Sequence, residues 1–381
     1  MSTCLSTTQL IDALLIRDLT DPGQGPHAMQ QLLGALVESV RELARCPVIQ
    51  LRESALVSTA ANYDALGYAP SDITRSERYS RYVSSSVMLR SHTSAMLPPA
   101  LARHLERGGP ADALYAAAGL AYRRDAIDRT HTGEPHQLDL WRVTRSPVHR
   151  DDLVATLGAV AGVALPGCEW RVVDSPHSYT EGGLQLDVRR TDASGGGPGA
   201  GQGEWLELAE GGLIAPWLLR RAGLSPAEWA GVAVGIGLDR ALMLRKSIGD
   251  IRLLRATDPR IARQMLDLST YQPVSAMPAV RRDLSLVLSS GSDEELLGDR
   301  VRAALGDRAP ELESVQLLSR TAYADLPEPA RARLGLRPNQ VNALVRLVIR
   351  PLDRTLTAAE ANALRNDVYL ALHDGEVVEL A

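Results

Sequence analysis

The hydrophobic and polar positions along the chain follow two different periods. Apolar residues recur at helical spacing in three segments, 7–19, 26–45 and 150–163. Short β-prone runs lie at 114–122, 140–143 and 169–173. Pro26 stands at a plausible first-turn position of the second helix. The pattern predicts amphipathic helices that pack on a sheet.

From residue 271 the order of elements changes. The pattern predicts in turn a strand, a helix, two strands, a helix and a short strand, at 281–288, 292–305, 313–323, 342–351, 357–373 and 376–380. Thr357, with Glu360 three residues on, predicts a reciprocal cap at the start of the last helix. The order βαββαβ is that of the ferredoxin-like split motif. We therefore expect a separate C-terminal domain over 271–381.

Residues 122–140, YRRDAIDRTHTGEPHQLDL, hold three arginines, four carboxylates and two histidines between two strand-like runs. A solvated loop would tolerate such charge, but a loop between two paired strands would direct it into a site. The glycine-rich run at 191–203 lacks the Gly-Lys-Ser/Thr ending of a phosphate loop, so we interpret it as a flexible connection.

Length and composition are those of a globular protein of two or three domains, with 381 residues, 45% hydrophobic and 23% charged. No apolar run approaches the roughly 18 residues of a membrane span, and the first 25 residues show no signal or transit peptide. Cys4, Cys46 and Cys168 are odd in number and widely spaced, which favours free thiols over structural zinc. We expect a cytoplasmic protein with no membrane partner.

The charge balance limits how a nucleic acid would bind. The net charge is −5, and residues 271–381 contain 13 arginines and no lysine against 16 carboxylates. An RNA partner would therefore need a local basic patch. The chain has a single lysine, Lys246, and no phenylalanine.

Five segments carry a resemblance to a known family: LRSHTSAM at 89–96, YRRDAIDRTHTGEPHQLD at 122–139, EWLELAEGGLIAPWLL at 204–219, GVAVGIGLDRALML at 231–244 and PVSAMPAVRRDLSLVL at 273–288. In their order and spacing they resemble the catalytic subunit of phenylalanyl-tRNA synthetase. The resemblance implies an α+β fold, with a class II antiparallel sheet core flanked by helices over 1–265, including N-terminal helices at about 7–45. It also implies a ferredoxin-fold anticodon-binding domain over 271–381. One chain holding both resembles the organellar form, with no separate beta subunit required.

For the ATP end, the resemblance implies a catalytic role for two arginines. Arg123 would contact the α-phosphate and Arg240 the γ-phosphate, because adenylation needs fixed positive charge at both ends of the triphosphate. Glu207 would hold Mg²⁺, which prefers oxygen ligands. The implied ATP-binding residues are Arg123, Asp125, Gly235, Gly237 and Arg240.

For the amino-acid end, the resemblance implies that His92, Ser94, His131, Gln137 and Asp139 hold the ammonium and carboxylate of an α-amino acid. The ring pocket departs from the family. Where the family has Phe-Pro-Phe, this chain has His177, Ser178 and Tyr179. Val232 and Val234 also replace phenylalanines of the family. A buried unpaired polar group costs roughly 1–3 kcal/mol, so the substrate is expected to carry a polar group.

Three functions remain open from the sequence. The first is activation of an aromatic-type α-amino acid as its adenylate, followed by transfer to tRNA. The second is a paralogue that adenylates a more polar amino acid for tRNA or for another acceptor. The third is a catalytically silent binding protein, and the intact Arg123, Arg240 and Glu207 count against it.

Overall fold

A computed structural model describes residues 4–189, 205–274 and 278–378. The chain forms two compact units. The first comprises Met1–Arg123, Glu134–Leu254 and Ala262–Tyr271, and the second comprises Arg124–Gly133, Arg255–Ile261 and Gln272–Ala381. Each unit therefore comprises three stretches of the sequence. The glycine-rich run at 191–203 lies outside the described residues.

The first unit is an α+β structure built on one large, mostly antiparallel sheet. Its helices are α1 (Thr7–Leu15), α2 (Ala28–Ala44), α3 (Thr59–Asn62), α4 (Leu97–Ala102), α5 (Arg150–Ala164), α6 (Pro216–Arg221) and α7 (Leu238–Lys246); α8 (Pro259–Ala262) contains a boundary between the units. Its strands are β1 (Val48–Leu51), β2 (Leu56–Ser58), β3 (Val87–Leu89), β4 (Asp112–Leu120), β5 (His136–Thr144), β6 (Glu169–Asp174), β7 (Thr180–Arg189), β8 (Leu206–Ile214) and β9 (Ala230–Gly237).

Seven of these strands form a sheet in the order β1-β4-β5-β9-β8-β7-β6. Among the described strand pairs of this sheet, β1 and β4 are parallel and the other five pairs are antiparallel. Helices α2 and α5 bury their apolar residues against one face, among them Leu36, Val40 and Leu157. Part of the opposite face packs against α4 and α6, through residues such as Leu101 and Leu218, and the rest of that face is available for a site.

The expected N-terminal helices are present with shifted ends. Helix α1 stops at Leu15. Helix α2 begins after His27, whose Nδ1 accepts a hydrogen bond from the Met29 N–H, so Pro26 precedes the helix instead of standing in its first turn. This side-chain cap satisfies one of the amides that have no partner within the helix.

The only lysine of the chain is fully buried at the end of α7. The Lys246 ammonium donates to the carbonyl oxygens of Asp267 at 2.7 Å and Ser269 at 2.6 Å. It therefore fixes a segment that follows α7 by some twenty residues. No helix in the described ranges is long and apolar enough to cross a membrane.

The second unit contains a three-stranded antiparallel sheet. Its elements are β10 (Val280–Ser289), α9 (Glu294–Leu305), β11 (Leu312–Ala322), α10 (Glu328–Leu334), β12 (Gln340–Ile349) and α11 (Ala358–Leu372), and the strand order is β10-β12-β11. The reciprocal cap between Thr357 and Glu360 is confirmed. Helix α10 was not predicted. Residues 376–378 of the predicted last strand form no strand, and 379–380 lie outside the described residues.

Candidate active site

One face of the seven-stranded sheet carries a row of two carboxylates and a glycine. Asp139 of β5 lies directly opposite Gly235 of β9, and Gly235 lies opposite Glu210 of β8. Directly opposed residues share a face. A Cβ placed on Gly235 would approach Asp139 Oδ1 no closer than 3.7 Å, and one on Gly237 would meet nothing within 4 Å. The two glycines therefore leave a floor that a ligand can reach.

Asp139 is the most strongly held group at this floor. It is 3% exposed, and its carboxylate accepts hydrogen bonds from Thr93 Oγ1 at 2.5 Å, Ser94 Oγ at 2.8 Å and Trp141 Nε1 at 3.2 Å. Burial raises the pKa of Asp139 above its ordinary value. Gln137, two residues earlier on the same face, accepts from the Thr93 backbone N–H at 3.2 Å. The sequence-predicted Ser94, Gln137 and Asp139 are thus brought together.

His92 stands beside this group in an aromatic setting. Its ring centroid lies 5.8 Å from that of Tyr68 and 6.3 Å from that of Tyr63. Both ring nitrogens are buried and have no well-aligned hydrogen-bond partner among the described residues. Burial, reinforced by the positive charge of Arg123, lowers the pKa of His92 to about 3. The imidazole is therefore neutral at physiological pH.

The two predicted phosphate-binding arginines differ in setting. Arg123 forms an isolated backbone bridge with Ser80, and its Nε is buried without a hydrogen-bond partner in the described ranges. Arg240 lies in the first turn of α7, three residues after the N-cap Gly237, and its Nη1 donates to the Glu207 carbonyl oxygen at 3.0 Å. A helix start also presents free backbone amides, which favour anions.

A β-bulge decides where Glu207 points. Leu186 pairs with Ala209, but the next residue of β7, Asp187, pairs with Glu207, so β8 has one extra residue at this point. A bulge reverses the alternation of side chains. Glu207 therefore shares a face with Glu210, although they stand three residues apart.

A buried histidine that the sequence reasoning did not assign holds the start of α7. His136 is fully buried, and its Nε2 accepts from the Leu19 N–H at 3.0 Å. Its Nδ1 therefore carries the proton and faces the Asp239 carboxylate at 3.0 Å. Asp239 precedes Arg240, so this contact orients the predicted phosphate-binding turn. A histidine next to Gln137 in the polar segment was the available signal.

The residues expected around the substrate ring have distinct roles. Tyr179 stacks on Trp141, with ring centroids 5.4 Å apart and an interplanar angle of 16°. His177 Nε2 lies 3.0 Å from Glu210 Oε2. Ser178 instead donates its hydroxyl proton to the Leu66 carbonyl oxygen at 2.8 Å. The backbone thus satisfies its hydroxyl, so Ser178 by itself gives no support to a polar substrate.

The family of the chain follows from its sequence. The family described as tRNA synthetases class II core domain (F) matches residues 24–265, which is more than half of the chain. The chain belongs to this family. It is an aminoacyl-tRNA synthetase-like ligase, as predicted, and the predicted α+β fold with its antiparallel class II core is confirmed.

Relatives of this synthetase-like chain are similar over about two thirds of its length. A phenylalanine–tRNA ligase alpha subunit of Geobacillus kaustophilus (strain HTA426) is 30% identical over 257 residues, covering 65% of this chain and 72% of the relative. One from Prochlorococcus marinus (strain MIT 9313) is 29% identical over 249 residues, covering 65% and 69%. A solved pyrrolysyl-tRNA synthetase from Desulfitobacterium hafniense is 20% identical, covers 64% of this chain and 77% of that one, and has a TM-score of 0.46.

Two valines expected in the ring pocket of this synthetase-like chain lie elsewhere. Val232 lines a cavity of about 70 Å³ together with residues of α2 and α5, such as Val40 and Ala155. Val234 is buried on the same face, because side chains alternate along a strand. The residue between them, Ala233, packs instead in the cluster that contains Trp141 and borders Tyr179. The two valines are therefore not part of the ring pocket.

Two further predicted site residues belong to the second unit. Asp125 accepts a hydrogen bond from the Ala126 N–H at 3.0 Å, and its carbonyl oxygen accepts from the Arg302 guanidinium. The His131 ring contacts the Asp128 carboxylate at 2.6 Å. Burial acts to raise the pKa of Asp128, but the hydrogen bond with His131 helps to lower that pKa below its usual range.

Proposed function

We propose that this ligase activates an aromatic-type α-amino acid with ATP and Mg²⁺ as an aminoacyl-adenylate and transfers the aminoacyl group to tRNA. The observation that carries the proposal is the glycine floor beside Asp139. The strand that forms this floor runs through Gly237 directly into the helix that carries Arg240. A single ligand lying along it would have its amino-acid end near a carboxylate and its phosphates near an arginine.

The amino-acid substrate would be held by polar groups that are already oriented. Asp139 would accept the ammonium, assisted by Ser94 and Gln137, because a buried carboxylate is best compensated by a cation. Neutral His92, with Arg123 close enough to influence its pKa, would contact the carboxylate that is activated. The substrate oxygen would attack the α-phosphorus while the bond to pyrophosphate breaks, so negative charge moves toward the leaving group.

Positive charge at both ends of the triphosphate would stabilise that transfer. Arg123 would contact the α-phosphate and Arg240 the γ-phosphate. When bound, Mg²⁺ neutralises phosphate charge. The described residues contain no group of three His, Cys, Asp or Glu that could hold a metal ion. One carboxylate, such as the exposed Glu207, fits Mg²⁺, since that ion commonly takes its other ligands from phosphates and water.

The identity of the substrates rests on the relatives. Those reported above are named phenylalanine–tRNA ligase alpha subunits, which supports a phenylalanine-type amino acid and a tRNA acceptor. The sheet order β10-β12-β11 together with helices α9 and α11 supports a ferredoxin-like anticodon-binding domain over 271–381. We further propose that the chain needs no separate beta subunit. Cys4, Cys46 and Cys168 form no disulfide in the described part of the chain, which fits a cytoplasmic setting.

Pyrophosphate exchange dependent on an amino acid tests the proposal with the purified chain. Arg240→Ala should lose on the order of 10²-fold or more of the exchange rate, because it removes one preorganised charge contact. Arg41→Ala is the matched control, since Arg41 pairs with Glu38 on the solvent-facing side of α2. Absence of exchange with every amino acid would refute activation, and exchange without charging of any tRNA would indicate another acceptor.

A further inference from the structure

We propose that Glu210 selects the substrate side chain, and that the amino acid preferred by this enzyme is a ring-bearing one with a hydrogen-bond donor on its ring, in preference to phenylalanine. This inference rests on the proposed function. No sequence motif drew attention to Glu210, which is an acid within a largely apolar strand. Its place is assigned by the pairing of β8 with β9, which sets it on the same floor as Asp139.

Glu210 presents unused acceptor positions at this floor. Ser175 Oγ donates to Oε1 at 3.0 Å and His177 Nε2 lies 3.0 Å from Oε2. A carboxylate offers about four acceptor positions, so roughly half remain for a ligand. The side chain is 38% exposed, which leaves those positions accessible. Hydrogen bonding to His177 lowers the pKa of Glu210, so the group is an anion that accepts and cannot donate.

His177 acts on the substrate through Glu210. With Nε2 bound to the carboxylate, its other ring nitrogen is buried without a partner in the described residues and faces Gly183, where a Cβ would lie 3.1 Å away. That nitrogen is therefore turned toward the backbone. His177 is a positioning residue that fixes the orientation of Glu210, as Ser175 does from the other oxygen.

The separation of the two carboxylates fits a ring-bearing amino acid. Asp139 and Glu210 are separated by one strand, so their backbones lie roughly 10 Å apart at the usual spacing of neighbouring strands. The stacked Tyr179 contributes an aromatic wall. Burial raises the pKa values of Tyr68 and Tyr179, and the negative charges of Asp139 and Glu210 raise them further. An amino acid with its ammonium at Asp139 would extend its ring along these phenols toward Glu210.

The two carboxylates therefore require an ammonium group at one end of the substrate and a hydrogen-bond donor at the other. An unsubstituted phenyl ring would remove water from Glu210 and offer no donor in return, whereas a ring hydroxyl or N–H would replace that water. Sites built around a hydrogen bond can reject the analogue that lacks the group by about 10⁴-fold. Because Glu210 keeps partial exposure, we expect a smaller factor of about 10²-fold.

Pyrophosphate exchange at saturating ATP tests the inference by comparing kcat/KM for phenylalanine, para-tyrosine, meta-tyrosine, tryptophan and histidine. At least one donor-bearing amino acid should exceed phenylalanine by about 10²-fold. Glu210→Leu should lower that ratio at least tenfold, mainly by improving use of phenylalanine. Glu210→Gln, which keeps the shape, should give a smaller drop. Glu169→Gln, an exposed glutamate paired with Arg189 on the same sheet, should leave the ratio unchanged.

Each outcome bears on the inference separately from the proposed function. If the wild-type enzyme prefers phenylalanine to every donor-bearing analogue, the inference fails while adenylation stands. If the preference for a donor persists in both Glu210 variants, Glu210 is not its source. His177→Phe should also lower the ratio, because it frees Glu210 to turn away. A chain that exchanges with none of the five amino acids and none of the others fails on the proposed function itself.

Discussion

Replacing His92 by glutamine should change how stability depends on pH. The folded chain holds His92 at a pKa of about 3, against an ordinary value of 6.5, because its ring is buried and Arg123 lies nearby. Below pH 6.5 the His92 ring binds a proton in the unfolded chain but not in the folded chain, so acid favours unfolding. The stability due to neutral His92 is therefore complete above pH 6.5 and is lost progressively as the pH falls toward 3.

The size of this effect follows from the difference between the two pKa values. At pH 5.0 the unfolded imidazole is protonated, 1.5 pH units below its pKa, while the folded one remains neutral. At about 1.4 kcal/mol per pH unit, His92 alone then lowers the free energy of unfolding by about 2 kcal/mol relative to pH 7.5. His92→Gln lacks a titrating group and should lose about 2 kcal/mol less than the wild type over the same interval.

Urea unfolding followed by tryptophan fluorescence measures this difference. All five tryptophans lie in the first unit, as His92 does, so the signal reports on that unit. The free energy of unfolding is obtained at pH 7.5 and 5.0 for the wild type, His92→Gln and, as a control, His149→Gln, whose residue is exposed. Equal losses in the wild type and His92→Gln would show that the His92 ring accepts a proton freely in the folded chain, contrary to the structure.

Two further predictions concern stability and use the same fluorescence assay. Val232→Phe should raise the free energy of unfolding by up to about 1.7 kcal/mol, because the added ring atoms fill a cavity of about 70 Å³ and cavities cost ~24 cal/mol per Å³. Its control, Val234→Phe, should destabilise, since Val234 is fully buried and does not line that cavity; a loss in both variants would contradict the account. Lys246→Met should lower the free energy of unfolding by about 1–3 kcal/mol, because it leaves the carbonyls of Asp267 and Ser269 without their donor. An unchanged midpoint would mean that water replaces the ammonium.

The sequence determined the local structure and the family. Apolar periodicity located α2, α5 and the strands on either side of the polar segment, because burial of one face is a local requirement of each element. Thr357 and Glu360 specified the start of α11, since a reciprocal cap involves only neighbours in the chain. The order of the arginine and glycine segments was likewise sufficient to indicate a class II synthetase core.

Only the tertiary structure decided which side chains share a site. His136 reaches Leu19, 117 residues away, and the Ser178 hydroxyl is taken up by Leu66, 112 residues away. Neither partner could be identified without the folded chain. The bulge that turns Glu207 toward the same face as Glu210, and the pairing that sets Glu210 across Gly235 from Asp139, depend on strand register. Register is fixed by contacts between strands far apart in sequence, and a shift of one residue moves a side chain to the opposite face.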